Sequence, residues 1–170
     1  ALKAPDLVVG SFHDARRRHL TLFRNLGESG FEPLAFSVPE TGLHYARMLD
    51  NDQQPLYTVP GITSLVVREM NHDEFRDVIA TGWSADTLIF FPGDREKYFG
   101  DPVLTPAPGG PRDVQAADLN GDGDVDLATS MYNTGEVVVW KGSGSGSFTE
   151  INRFSSNGAL PHKIRLADFN

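Results

Sequence analysis

With 170 residues, the chain has room for one domain with a real core, and its 17 glycines and 11 prolines suit many short strands and turns. The net charge of −8 argues against a nucleic-acid or anionic-membrane surface, and the absence of cysteine excludes disulfides and thiol chemistry. No apolar run is long enough to cross a bilayer as a helix, so membrane insertion is not expected.

Taken in order, the chain repeats itself. A first unit opens at Asp6, with Phe23 and Phe31 at the spacing that Phe91 and Phe99 keep later. It carries a basic hairpin tip, His13-Asp14-Ala15-Arg16-Arg17-Arg18. From Phe31 to Glu69 the chain runs 38 residues, whereas Phe99 to Asp118 takes 19. About 19 extra residues therefore fall between Pro39 and Pro60, and long loops on a rigid scaffold often carry binding. Within them His44, Tyr45 and Arg47 are the side chains best suited to a polar or sugar-like ligand.

A second unit starts with Glu69-Met70-Asn71-His72-Asp73-Glu74-Phe75-Arg76-Asp77, which aligns 49 residues on with Asp118–Asp126. The same offset carries Phe91 onto Trp140, Gly93 onto Gly142 and Phe99 onto Phe148. In the third unit the spacing predicts strands at about Asp113–Leu119, Asp126–Met131, Glu136–Lys141 and Phe148–Phe154. A turn is expected at Asn133-Thr134-Gly135 and a hairpin turn over Gly142–Ser147. Finally, Pro161–Asn170 repeats Pro111–Asn120 at an offset of 50, which predicts the first strand of a fourth unit.

The loop Asp118-Leu119-Asn120-Gly121-Asp122-Gly123-Asp124-Val125-Asp126 puts oxygen side chains at positions 1, 3, 5 and 9. A hard cation such as Ca²⁺ takes several oxygen ligands at roughly 2.3–2.6 Å, and Gly123 permits the sharp turn that would wrap them round it. Four crowded aspartates would otherwise repel one another. An EF-hand is rejected, because position 12 is Thr129 instead of a bidentate Glu and the flanks lack helical spacing. In the second loop Glu69 replaces the first Asp and Glu74 stands where the glycine should be, while Asn71, Asp73 and Asp77 remain. Without the glycine that loop must be strained or differently shaped. Asp168 and Asn170 occupy positions 1 and 3 of a further, incomplete loop, and Asp6 occupies position 9 of another. The chain starts at Ala1 without a methionine or a signal-peptide pattern, so excision from a larger ring, or a unit assembling end to end, is expected.

Asp118–Asp126 with Leu127-Ala128-Thr129-Ser130, Val139-Trp140 and Gly144-Ser145-Gly146-Ser147-Phe148 resembles the VCBS/FG-GAP repeat of integrin α-chain propellers and of many secreted microbial and algal proteins. The resemblance implies an all-β fold, a β-propeller with blades of four antiparallel strands. It places blade 1 at about 1–38, an insertion at 39–60, blade 2 at 61–107, blade 3 at 110–157 and the first strand of a fourth blade at 161–170. It implies calcium held by Asp118, Asn120, Asp122, Asp126 and the carbonyl of Asp124, and an extracellular or periplasmic setting. Calcium would lie on the face of the 1–2 and 3–4 turns. The opposite face collects Trp83, Tyr132, Arg112 and His162, as candidates for a protein or glycan ligand. The function expected is therefore a non-catalytic interaction or adhesion module, whose neighbours are further blades or copies of itself. Its alternative is a propeller-type sugar lyase or dehydratase with Arg112 and His162 near a central channel. No nucleophile–base pair stands out to support catalysis.

Overall fold

The computed structural model describes residues 4–12, 18–39, 52 and 59–169. Chain order gives β1 (Leu7–Gly10), β2 (Leu20–Asn25), β3 (Phe31–Phe36), β4 (Ile62–Arg68), β5 (Asp77–Gly82), β6 (Thr87–Phe91), β7 (Gly93–Asp94) and β8 (Tyr98–Phe99). Then come β9 (Val103–Pro106), β10 (Pro111–Ala117), β11 (Asp126–Met131), β12 (Glu136–Gly142) and β13 (Phe148–Ser155). Helix among the described residues is limited to the 3₁₀ turns Gly27–Ser29 and Trp83–Ala85, neither able to cross a membrane. The fold is all-β.

Each sheet is antiparallel and none closes on itself. Sheet 1 is β1-β2-β3, sheet 2 is β4-β5-β6-β9 and sheet 3 is β10-β11-β12-β13, with β7 and β8 forming a small hairpin. The predicted strands of the third unit fall within one or two residues of β10 to β13. The strand Glu136-Val137-Val138-Val139-Trp140 forms because β-branched and aromatic side chains fit a pleated, half-buried surface.

The repeat read from sequence is also a repeat of register. Leu7 pairs with Phe23, Val78 with Phe91 and Leu127 with Trp140, each one residue after an aspartate (Asp6, Asp77, Asp126). Because side chains alternate between sheet faces, this common register assigns equivalent residues to equivalent faces. One face of sheet 2 packs Val78, Ala80, Ile89 and Phe91 against Leu20 and Leu22 of sheet 1. Its other face packs Ile79, Leu88 and Phe90 against Leu127, Val138 and Trp140 of sheet 3. Every residue of β5 and β6 is buried as a result, like a strand covered on both sides. β11 at the middle of sheet 3 is buried in the same way, whereas Leu7, Val9 and Phe31 of sheet 1 and Phe154 of β13 are exposed.

One expectation is corrected. Residues 161–169 form no strand, although they repeat the sequence of β10. β10 is a strand because β11 hydrogen-bonds along it, and among the described residues no such partner lies beside 161–169. The basic tip 13–17, the greater part of the insertion with His44, Tyr45 and Arg47, and Asn170 lie outside the described residues.

Candidate functional site

The loop 118–126 joins β10 to β11, two strands and no helix. Its side chains fold it from within. Asp118 accepts from the amides of Gly121 (2.6 Å) and Gly123 (3.0 Å), Asn120 from that of Asp122 (2.8 Å), and Asp122 from that of Asp124 (3.0 Å). The Lys141 ammonium lies 2.9 Å from Asp122. Its hydrogen bond, joined by that of the Asp124 amide, holds the Asp122 carboxyl below its ordinary range. Gly121 and Gly123 have φ of 80° and 92°, a left-handed backbone in which glycine carries no Cβ penalty.

The second loop copies this arrangement with different residues. His72 N donates to Glu69 (2.5 Å), Asp73 N to Asn71 (3.3 Å) and Phe75 N to Asp73 (2.8 Å), each bond 49 residues before its counterpart. His72 and Glu74 stand where Gly121 and Gly123 stand, and they adopt φ of 62° and 71°. Of the two outcomes open from sequence, strain and not a new shape is the one realised. The two loops also touch: His72 Nε2 is 2.9 Å from Asp124 Oδ1, and that hydrogen bond raises the His72 pKa above its ordinary value.

Position 9 has a role that sequence reasoning missed. Asp126 accepts from the amide of Gly142 (2.9 Å) with one oxygen and from that of Leu119 (3.1 Å) with the other. Asp77 does the same with Gly93 and Met70, both at 2.7 Å, and Asp6 accepts from Asn25 N at 2.7 Å. Each buried or half-buried carboxylate thus ties the start of the second strand to the turn after the third. At Gly142 a Cβ would fall 2.1 Å from the carbonyl oxygen of Val125, so only glycine lets the chain pass this close to the loop. Burial raises the Asp77 pKa against the help of its two amides, and the nearby Asp73 and Glu69 push it further. The clue was present: an aspartate precedes the second strand of all three units.

Could these residues hold calcium? The donor chemistry fits, since Asp118, Asn120, Asp122, Asp126 and the Asp124 carbonyl are all hard oxygen ligands. In the arrangement described, the side-chain oxygens of Asp118, Asn120, Asp122 and Asp126 are turned to amides and, at Asp122, to Lys141. Among the described residues no three His, Asp or Glu side chains form a group able to hold an ion.

On the opposite face, the structure brings together four residues singled out from sequence. Arg112 places its guanidinium 5.9 Å from the Trp83 ring and 5.4 Å from that of Tyr132, within reach of a cation–π interaction. Tyr132 stands edge-on to Trp83 at 6.3 Å and to His162 at 4.9 Å. Phe12 extends the row, 5.8 Å from Trp83. Phe12, Trp83 and Tyr132 are the same position of successive units, five residues after Leu7, Val78 and Leu127, a correspondence not drawn from the sequence. Trp83 is only 9% exposed, so Tyr132 and His162 are the more accessible members.

Between the faces lies a polar link between units. Asp113 is buried and accepts from the Ser64 hydroxyl (2.5 Å), the Ile164 amide (3.0 Å) and Arg165 (2.8 Å), with Lys163 at 3.5 Å. Burial would raise its pKa, but these donors together leave it below the ordinary carboxylate value.

No curated protein and no solved structure matched the chain. Residues 70–129, from the second acidic loop into β11, match the family model described as an FG-GAP-like repeat. That stretch, which runs from Met70 through β5, β6, β9 and β10 into β11 and includes the loop 118–126, is similar to the FG-GAP-like repeat.

Proposed function

We propose that the chain is a β-propeller segment, its three sheets successive blades, serving as a calcium-supported, non-catalytic interaction module. The observation that carries this reading is the aspartate-to-amide tie repeated at Asp6, Asp77 and Asp126 in a common register. It reads the three sheets as copies of one unit, and Asp77 and Asp126 both lie within the stretch similar to the FG-GAP-like repeat. Calcium would be held by Asp118, Asn120, Asp122, Asp126 and the Asp124 carbonyl, displacing Lys141 and the loop's own amides. The second loop, with Glu69, Asn71, Asp73 and Asp77, is the poorer host, because its backbone is strained where the third is relaxed. Asp168 belongs to the start of a further loop. A protein or glycan ligand would meet the face of Arg112, Tyr132 and His162, with Trp83 behind them. The setting is extracellular or periplasmic, as is typical of FG-GAP repeats.

Thermal unfolding with increasing calcium is the direct test. Binding to the folded form alone adds about 2.7 kcal/mol of stability at a hundred times Kd, so Tm rises with calcium concentration. A Tm indifferent to calcium and to chelator overturns the metal assignment. A glycan and protein array probed with the chain, and with an Arg112→Ala, Tyr132→Ala variant, then tests the binding face. Turnover of a sugar substrate, abolished by His162→Ala at unchanged stability, would replace the binding reading with the lyase one.

A further inference from the structure

Of the arginines that the fold half-buries, Arg24 is neutralised by Glu32, and Arg153 by Glu136 and Glu150. Arg112 is half-buried as well, yet among the described residues no carboxylate pairs with it and no group accepts a hydrogen bond from its guanidinium. Its neighbour Asp113 is turned instead to Ser64 and Arg165. Arginine keeps its charge at any ordinary pH, and a charge drawn out of water is costly without a counter-ion. At Arg112 no negative charge of the described fold offsets that cost.

What the fold supplies instead is position. Thr63 Oγ1 donates to the backbone carbonyl of Arg112 (2.7 Å), which pins the start of β10 to β4. The guanidinium lies over Trp83 and Tyr132, 5.9 and 5.4 Å from the ring centres, and these two rings stand at 75° to each other. The face of a ring attracts the cation but does not accept its fork of N–H donors as a carboxylate does. The side chain is thus held in place with its donors unspent, so a ligand that uses them meets a group already ordered. All three residues belong to the two four-stranded sheets and the turns within them.

Resting on the binding face described above, we propose that Arg112 and Tyr132 form a subsite for an acidic sugar, a uronate unit of a glycan. Its carboxylate is gripped by the Arg112 fork, and the C–H face of its ring lies on Tyr132. The planar fork matches the two oxygens of a carboxylate. A cation beside an aromatic ring matches a pyranose that carries a carboxylate on its own ring carbon. An aspartate or glutamate side chain supplies the charge but no apolar ring face for Tyr132. A sulfated polyanion calls for a row of cations, whereas one unspent, half-buried arginine on a chain of net charge −8 suits a single carboxylate.

Isothermal titration with tetrasaccharides of galacturonate, glucuronate and mannuronate, and with their carboxyl-reduced, neutral counterparts, is the test. At least one uronate should bind, and its neutral counterpart should bind about tenfold or more weakly. Equal affinity for the two overturns the carboxylate subsite and leaves the face a glycan-binding surface. Binding of neither overturns the subsite, and a protein array then decides whether the broader reading of the face falls with it. Equal or tighter binding of hexaglutamate, lost on Arg112→Gln, overturns the sugar in favour of an acidic peptide. Arg112→Lys keeps the charge but not the fork, and should lose about tenfold in affinity at the parent's Tm. Uronates also chelate calcium, so affinity that survives Arg112→Gln places the carboxylate elsewhere and overturns the proposal. Tyr132→Phe keeps the ring and should bind within about threefold of the parent, whereas Tyr132→Ala should lose about tenfold. Equal affinities of those two variants overturn the stacking on Tyr132.

Discussion

The two acidic loops have one backbone and two chemistries. Both are folded by the same ladder of side-chain oxygens to amides, and both end on a carboxylate that grips the turn after the third strand. The third loop meets its left-handed positions with Gly121 and Gly123, and its charge with Lys141. The second meets them with His72 and Glu74, and Pro92 stands where Lys141 would be. The comparison teaches that the aspartate-to-amide bonds set the loop's shape, while the glycines set what that shape costs.

The largest effect that could break this account is at position 9. Asp126→Ala leaves the amides of Leu119 and Gly142 without their acceptor in a buried place, and should cost about 3 kcal/mol by chemical denaturation. Asp77→Ala should cost a comparable amount, since it holds the same two bonds. A loss at Asp126 well under 1 kcal/mol would mean that the loop is shaped by its glycines after all.

Next in size are exchanges that swap the loops' backbones. Gly123→Ala places a Cβ at φ 92°, with no atom near enough to clash, so backbone strain alone should destabilise by about 1 kcal/mol. Glu74→Gly should move the other way, relieving strain but enlarging the freedom of the unfolded chain, for a net gain of about 0.5 kcal/mol. Equal signs for the two would show that the loops are not equivalent. A smaller effect is expected from Lys141→Met, which removes the resident cation from Asp122. The calcium concentration that half-saturates the rise in Tm should fall severalfold, with no matching change for a substitution at Pro92.

Much of this was legible in the sequence because repetition amplifies weak signals. Glu136–Trp140 announces a strand by its β-branched run, and its equivalents ending near Phe91 and Phe23 could be found by offset. The equivalence of Asp6, Asp77 and Asp126 was visible as spacing, but spacing alone suggested only a ligand. That the same oxygens bind the amides of Asn25, Gly93 and Gly142 depends on a turn brought close by folding. The failed strand at 161–169 marks the converse limit. A strand-like sequence is necessary for a strand, but the hydrogen-bonding partner must come from elsewhere in the structure. Nor could pattern say that Trp83 would be packed between Phe12, Arg112 and Tyr132, since an aromatic at a hairpin tip reads alike whether covered or open.

The finest test concerns His72, which belongs to both loops at once. Its ring bonds Asp124 of the third loop, and its backbone sits at φ 62° in the second. Histidine tolerates that region better than branched residues do, so the strain is modest. His72→Ala removes the bond and keeps the positive φ, and should lower stability slightly. His72→Gly removes the same bond and relieves the strain, and should leave stability close to the parent's. The difference between the two variants isolates the backbone from the contact, which neither substitution does alone. If both lose the same amount, the contact between the loops accounts for the whole effect, and the left-handed turn of the second loop carries no strain worth relieving.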